Sequence, residues 1–289
     1  FKGIDCYDPI TDTWSHYTRY GSSSNSLSHT SILSLHKDMQ GNIWVGTYYG
    51  GVNVFNPDKN NHSFYCAEPL REDCLSFPVV GKMTEDSAGN VWICTEGGGL
   101  NCYHGDTGVF SRYMYHKGDQ GTLGSNNVKS VFYRKENNRL YAGTHIGGLF
   151  VLDLKSNKGH TLHHVTGDPA SLPHEIVNDI QEYKDGIAML TQGGPVFFDP
   201  VTEKFSPLTD DPSVQKLISR EYAFETFLID SRHRMWLAVG GGGIVCVNLS
   251  SSKVTQYLAD SEKDTLTVGR YKTVHIFEDN KGDIYFSTI

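Results

Sequence analysis

Long apolar runs are missing from this sequence, and no stretch approaches the roughly 18 residues that a membrane-crossing helix requires. Clusters of Lys and Arg are missing as well. With 25 Lys and Arg against 33 Asp and Glu, the formal net charge is -8, so a basic surface for nucleic acid or an anionic membrane has no source. Cysteine is sparse: the six residues form no Cys-x-x-Cys and no paired-ligand spacing. The thirteen His do not replace them, because His163 and His164 are adjacent and would project from opposite faces of a strand, with His160 as their nearest companion. No metal and no cofactor is expected. The first residues, Phe1 to Pro9, have neither the basic nor the apolar segment of a signal peptide, which says little about compartment.

Glycine and aromatic residues are abundant by contrast: 30 Gly, 16 Tyr, 14 Phe and 4 Trp in 289 residues describe a folded, turn-rich chain. Their spacing is periodic. DMQGNIWVGTYYGGVNVFNP at 38–57 returns as DSAGNVWICTEGGGLNCYHG at 86–105 and as ENNRLYAGTHIGGLFVLDL at 136–154. Weaker copies stand at 184–200 and 230–249, and a truncated one at 279–289. A period of about 48 residues marks a unit that stacks on copies of itself.

Each copy predicts a short apolar strand (Ile32 to Leu35), an Asp-x-x-Gly-Asn turn, a second strand (Ile43 to Thr47), a Gly-Gly turn and a third strand. A fourth strand near Ser63 to Cys66 completes the unit. Gly supplies positive φ in the turns, and Asp38 and Asp86 can accept turn amides through their carboxylates. Four antiparallel strands at this period are the signature of propeller blades. The expected architecture is therefore all-β, a single propeller over 1–289, with repeats near 32–79, 80–127, 128–176, 177–223 and 224–272.

The remaining segments, 273–289 and 1–31, read as one further repeat when joined: Thr288 aligns with Thr47, Gly3 with Gly51 and Tyr7 with Phe55. This predicts six blade equivalents, the last shared between inner strands at 274–288 and outer strands at 3–18; the alternative is part of a seven-bladed ring. Trp44, Trp92, Trp236, Tyr141 and Tyr285 occupy one equivalent second-strand position and are read as filling between blades. Cys6, Cys102 and Cys246 share a third-strand position and are read as small buried apolar residues. Cys66 and Cys74 flank one loop, where a bridge can form in an oxidising compartment.

The pattern Asp-x-x-Gly-Asn-Ile-Trp-Val-Gly-Thr-x-x-Gly-Gly at 38–51, with NSLSHTSILSL at 25–35 before it, resembles the regulator-propeller repeat of hybrid two-component sensors from gut Bacteroides. The resemblance extends over nearly the whole chain. It implies a periplasmic sensor segment that recognises oligosaccharide fragments and passes the signal, through further sensor domains and a homodimer partner, to a cytoplasmic histidine kinase. It implies no catalysis by this segment. In that family two seven-bladed propellers precede an immunoglobulin-like domain, a membrane helix and the kinase.

Strand order places the second-to-third-strand turns and the blade connections on one side. That side is where the repeats differ in chemistry: Tyr48 and Tyr49, Glu96, His145 and Gln192 occupy the turns. The position three residues before each first strand reads His29, Phe77, Ser125, His174, Glu221 and Arg270. Aromatic rings with mixed polar groups suit a sugar, whose hydroxyls need partners and whose C–H face packs on a ring. The candidate ligand residues are thus Tyr48, Tyr49, Glu96, His145, His174, Glu221 and Arg270, with Arg71 and Arg220 as further cations for an acidic glycan. Two other functions compete. A lyase of the streptogramin-lyase type would use His174 and Glu221 for acid–base chemistry, and a protein-interaction scaffold would present a broad apolar patch instead.

Overall fold

The computed structural model describes residues 3–19, 26–56, 59, 61–68, 70–71, 73–220, 223–257 and 273–288. The chain forms two compact units, Phe1–Thr161 and Leu162–Ile289. The first opens with a hairpin of β1 (Ile4–Asp8) and β2 (Thr13–Tyr17). Three four-stranded sheets follow: β3 (Ile32–Lys37), β4 (Ile43–Thr47), β5 (Val52–Asn56) and β6 (Asn61–Tyr65); β7 (Val80–Glu85), β8 (Val91–Thr95), β9 (Leu100–Tyr103) and β10 (Phe110–Tyr113); β11 (Val128–Arg134), β12 (Arg139–Thr144), β13 (Leu149–Asp153) and β14 (Lys158–Leu162). The second unit holds β15 (Val177–Tyr183), β16 (Gly186–Thr191), β17 (Gly194–Asp199) and β18 (Lys204–Pro207); the helix α1 (Pro212–Arg220); β19 (Phe224–Ile229), β20 (Arg234–Val239), β21 (Ile244–Asn248) and β22 (Val254–Tyr257); and a hairpin of β23 (Thr273–Glu278) and β24 (Ile284–Thr288). Every pairing between these strands is antiparallel and sequential, as the repeat predicted.

Within the first unit β3 lies beside β7 and β7 beside β11; within the second, β15 lies beside β19 and β19 beside β23. First strand meets first strand, and the apolar faces of neighbouring sheets enclose the core. Trp44 on β4 shows how. Its ring stacks on Tyr65 of its own sheet at 6.1 Å and meets Tyr103 of the next sheet edge-on at 5.0 Å. Trp92, Tyr141 and Trp236 are buried in the same position. Tyr285 departs from the expectation at 46% exposure, because its sheet ends at two strands among the described residues. Cys6 departs for the same reason, lying exposed in the β1–β2 hairpin, whereas Cys102 and Cys246 are buried as expected. Burial pushes their thiols up, to about 12 for Cys102 and about 11 for Cys246. Cys66 and Cys74 are free thiols, not a bridge.

The Asp turns follow one pattern in sheets far apart in sequence. Asp86 accepts the Ala88 and Asn90 amides at 2.9 and 3.0 Å through one oxygen and the Trp92 indole N–H at 2.9 Å through the other. Asp230 does the same with Arg232, Arg234 and Trp236, and Asp38 takes the Asn42 amide and the Trp44 indole. One turn residue must have positive φ. It is Gly41, Gly89 and Gly282 at 81–83°, but Asn138 at 51° and His233 at 57°, so other residues accept the position at some cost.

The helix was not anticipated. Asp211 accepts the Ser213 amide at 2.9 Å as an N-cap, Pro212 opens the first turn, and Val214 and Ile218 bury one face against the sheet of β15–β18. The cue lay in Asp-Pro-Ser followed by apolar residues four apart, masked by a repeat that otherwise contains only strands.

Candidate functional site

The second-to-third-strand turns rest on a shared base. Thr47 Oγ1 donates to Gly51 O at 2.9 Å, and Thr95, Thr144 and Thr191 repeat that latch on Gly99, Gly148 and Gly194 at 2.7–2.9 Å. The next amide then ties the turn to the segment entering its own sheet: Tyr48 N to Ser31 O, Glu96 N to Val79 O, His145 N to Asn127 O and Gln192 N to Ile176 O, at 2.9–3.1 Å. Turns and connections therefore do share one side of each sheet. With the backbone committed, only the tips are free to differ.

In the first unit these tips gather four of the candidates in successive turns. The Tyr48 and Tyr49 rings meet edge-on, with centroids 4.5 Å apart. A hydrogen bond to the Tyr49 hydroxyl, then the charges of Tyr49 and Glu96 around a slight desolvation, hold the Tyr48 phenol above its ordinary pKa. Glu96 is paired with Lys129 Nζ at 2.9 Å. Lys129 was not among the candidates: it stands one residue into its strand, where the other four-stranded sheets have Leu33, Gly81, Asn178 and Glu225, and a cation at that position was the available signal. His145 occupies the following turn, half-buried.

Two of these tips are strained. Tyr49 has a φ of 67° and Ile146 of 61°, where the middle sheet has Gly97 at 131°. A left-handed conformation costs a side-chain-bearing residue about 1–2 kcal/mol. Both side chains project into solvent, 62% and 66% exposed, so the fold does not recover that cost by burying them.

The entry-loop candidates have a different employment. His29 and His174 accept the amides of Ser31 and Ile176 through Nδ1, at 3.0 and 3.1 Å, and Ser125 accepts that of Asn127 through its hydroxyl. A ring nitrogen that accepts an amide hydrogen is bare, so His174 carries its proton on Nε2. It is a turn-former first. In the second unit Pro173 and Gly193 line a cavity of about 180 Å³ closed by Phe205, Leu208 and Ile218, so α1 shapes the side on which His174 stands. Glu221 and Arg270 lie outside the described residues. Arg71 pairs with Asp73 at 2.9 Å in the loop after β6. Among the described residues no three His, Cys, Asp or Glu converge to hold a metal ion.

Residues 26–49 match the family described as two component regulator propeller. No curated protein matches the chain in sequence. Its fold is that of the extracellular domain of a hybrid two component system from B. thetaiotaomicron, at TM-score 0.76 and 22% identity over 99% of this chain and 36% of that one. A second such domain from the same organism superposes at TM-score 0.62 and 18% identity, over 99% of this chain and 44% of that one. A catalytically inactive virginiamycin B lyase from Staphylococcus aureus, with quinupristin, superposes at TM-score 0.62 and 12% identity over 89% and 77% of the two chains. The fold is a β-propeller, and the chain spans less than half of each of the two extracellular domains.

Proposed function

We propose that this chain is a ligand-sensing propeller from the extracytoplasmic region of a hybrid two-component receptor, and that it recognises oligosaccharide fragments. The regulator-propeller repeat at 26–49 and the likeness to extracellular sensor domains support the setting. No helix among the described residues is long and apolar enough to cross a membrane, which is compatible with a periplasmic segment. The rest of the sensor region, a homodimer partner and a cytoplasmic kinase complete the proposal. Binding acts on the kinase by favouring one sensor arrangement over another.

The observation that carries this reading is the strained, exposed Tyr49 beside Tyr48, with the Glu96–Lys129 pair as fixed donors and acceptors. Rings stack on the C–H face of a sugar and the ion pair addresses its hydroxyls. A lyase reading has less support, since His174 is engaged by its own loop. Calorimetry against defined oligosaccharides tests the proposal. Tyr49→Ala should weaken binding at least about tenfold, equivalent to 1.4 kcal/mol, with no product formed. Unchanged affinity in Tyr49→Ala and Glu96→Gln would remove this face from consideration, and product formation would favour the lyase.

A further inference from the structure

Beneath the second-to-third-strand turns the sheets do not close alike. In the sheet of β3–β6 the Ser28 amide donates to Asn53 Oδ1 at 3.0 Å, and the Asn53 side chain donates back to the Ser28 hydroxyl at 2.7 Å. Ser76 and Asn101 repeat the pair in the sheet of β7–β10, at 2.9 and 2.8 Å. Each pair stitches the entering segment to the third strand. In the sheet of β15–β18 the repeat puts Pro173 where Ser76 stands and Val196 where Asn101 stands. Proline has no amide hydrogen to give and valine has no acceptor, so the stitch cannot form. The turn above is also one residue shorter, since Thr191 latches onto a glycine three residues on, where Thr95 reaches four.

A polar junction is thereby replaced by the crevice of about 180 Å³ beside α1. Val196, Phe205 and Ile218 are its buried floor, Pro173 and Leu208 are half-buried, and Pro169, Ser206, Pro207 and Ser219 stand exposed at its mouth. The walls are tied in place: Phe205 N donates to Ala170 O at 2.9 Å, and the Gln215 side-chain amide on α1 donates to Thr209 O at 2.6 Å. Among the described residues no charged side chain lines the crevice. Gln215 Oε1 and the Ser206 hydroxyl hold no hydrogen bond among the described residues. A cavity of about 150 Å³ lined by apolar side chains takes benzene, so this volume suits one ring. A charged occupant would lose its hydration with no counter-ion to replace it, and the several hydroxyls of a sugar would outnumber the two free groups.

We propose that this crevice binds a small uncharged apolar molecule of one-ring size carrying a single hydroxyl, of the phenol or cyclohexanol type. The inference does not rest on the sensing role of the Tyr48–Tyr49 face, and either site can fail alone. The test is a titration of the intact chain with phenol, cyclohexanol, benzoate and glucose, followed through the methyl signals of Val196, Leu208 and Ile218 in ¹H–¹³C spectra. Phenol or cyclohexanol should move these signals saturably and leave those of Val45 and Val91 in place. Benzoate, a ring of the same size with a charge, and glucose, a ring with many hydroxyls, should leave all of them unmoved. Pro173→Ser combined with Val196→Asn restores the pair that two other sheets carry and should weaken binding at least about tenfold, read from Leu208 and Ile218. Ser219→Trp, a bulky group at the exposed mouth, should do the same and serves if the double variant fails to fold. Tyr49→Ala should have no effect. The proposal is overturned if neither phenol nor cyclohexanol moves the three signals, if benzoate or glucose moves them as far, if Val45 and Val91 move with them, if binding survives the double variant or Ser219→Trp in a folded protein, or if Tyr49→Ala removes it.

Discussion

The two ends of the strands follow opposite rules. At one end the Asp turns repeat a single network: Asp38, Asp86 and Asp230 each take a backbone amide and a buried indole N–H, in sheets drawn from both units. At the other end the turns share their threonine latch and the amide tie that follows it, and the tips read Tyr48-Tyr49, Glu96-Gly97 and His145-Ile146. Solvent explains the contrast. Where donors are buried, every residue that satisfies them is fixed by the cost of leaving them unpaired; where side chains face water, no such cost applies.

The largest effect should come from the buried end. Asp86→Ala leaves the Trp92 indole and two turn amides without their acceptor, and we expect about 3 kcal/mol of lost stability, read from urea midpoints. A loss below about 0.5 kcal/mol would mean that the network is incidental.

Acid should act on the same end. For Asp230, burial alone would raise the carboxyl pKa, but the Trp236 and Arg234 hydrogen bonds outweigh it and hold the group below its usual range. A carboxylate depressed in the folded state adds stability above its unfolded value of about 3.9, and that contribution is lost as pH falls through the lower folded value. Asp230→Asn should therefore be less stable than the parent at neutral pH, with the gap narrowing as pH falls below about 4. A gap that stays constant with pH would argue against the charge.

At the exposed end the sign should reverse. Ile146→Gly relieves a φ of 61° but adds freedom to the unfolded chain, for a net gain of about 0.5–1 kcal/mol in denaturant unfolding. Tyr49→Ala, which keeps the strained backbone and removes only an exposed ring, should change stability by less than about 0.5 kcal/mol while weakening glycan binding. A stability loss comparable to that of Asp86→Ala would show that the tip is framework after all.

Much of the blade design was legible before any coordinates. Asp, Gly, Asn and Trp recur within eight residues, and so do Thr and the Gly pair, because each turn is closed by residues near in the chain. The shared position of Trp44, Trp92, Tyr141 and Trp236 was readable as packing for the same reason. Tyr285 and Cys6 follow that sequence rule yet lie exposed, since burial depends on how many strands complete a sheet. His174 matched a sugar or acid–base role by type, but its Nδ1 is spent on an amide two residues away, a contact that residue identity does not reveal.

Residue order alone sets the repeat, the strand boundaries and the turn chemistry, because their hydrogen bonds close over two to six positions. The Glu96–Lys129 pair, the burial of α1 and the crevice left by Pro173 and Val196 were decided only on folding. Their partners lie tens of residues away on another strand or sheet, and a side chain's surroundings there depend on what the neighbouring repeat happens to supply.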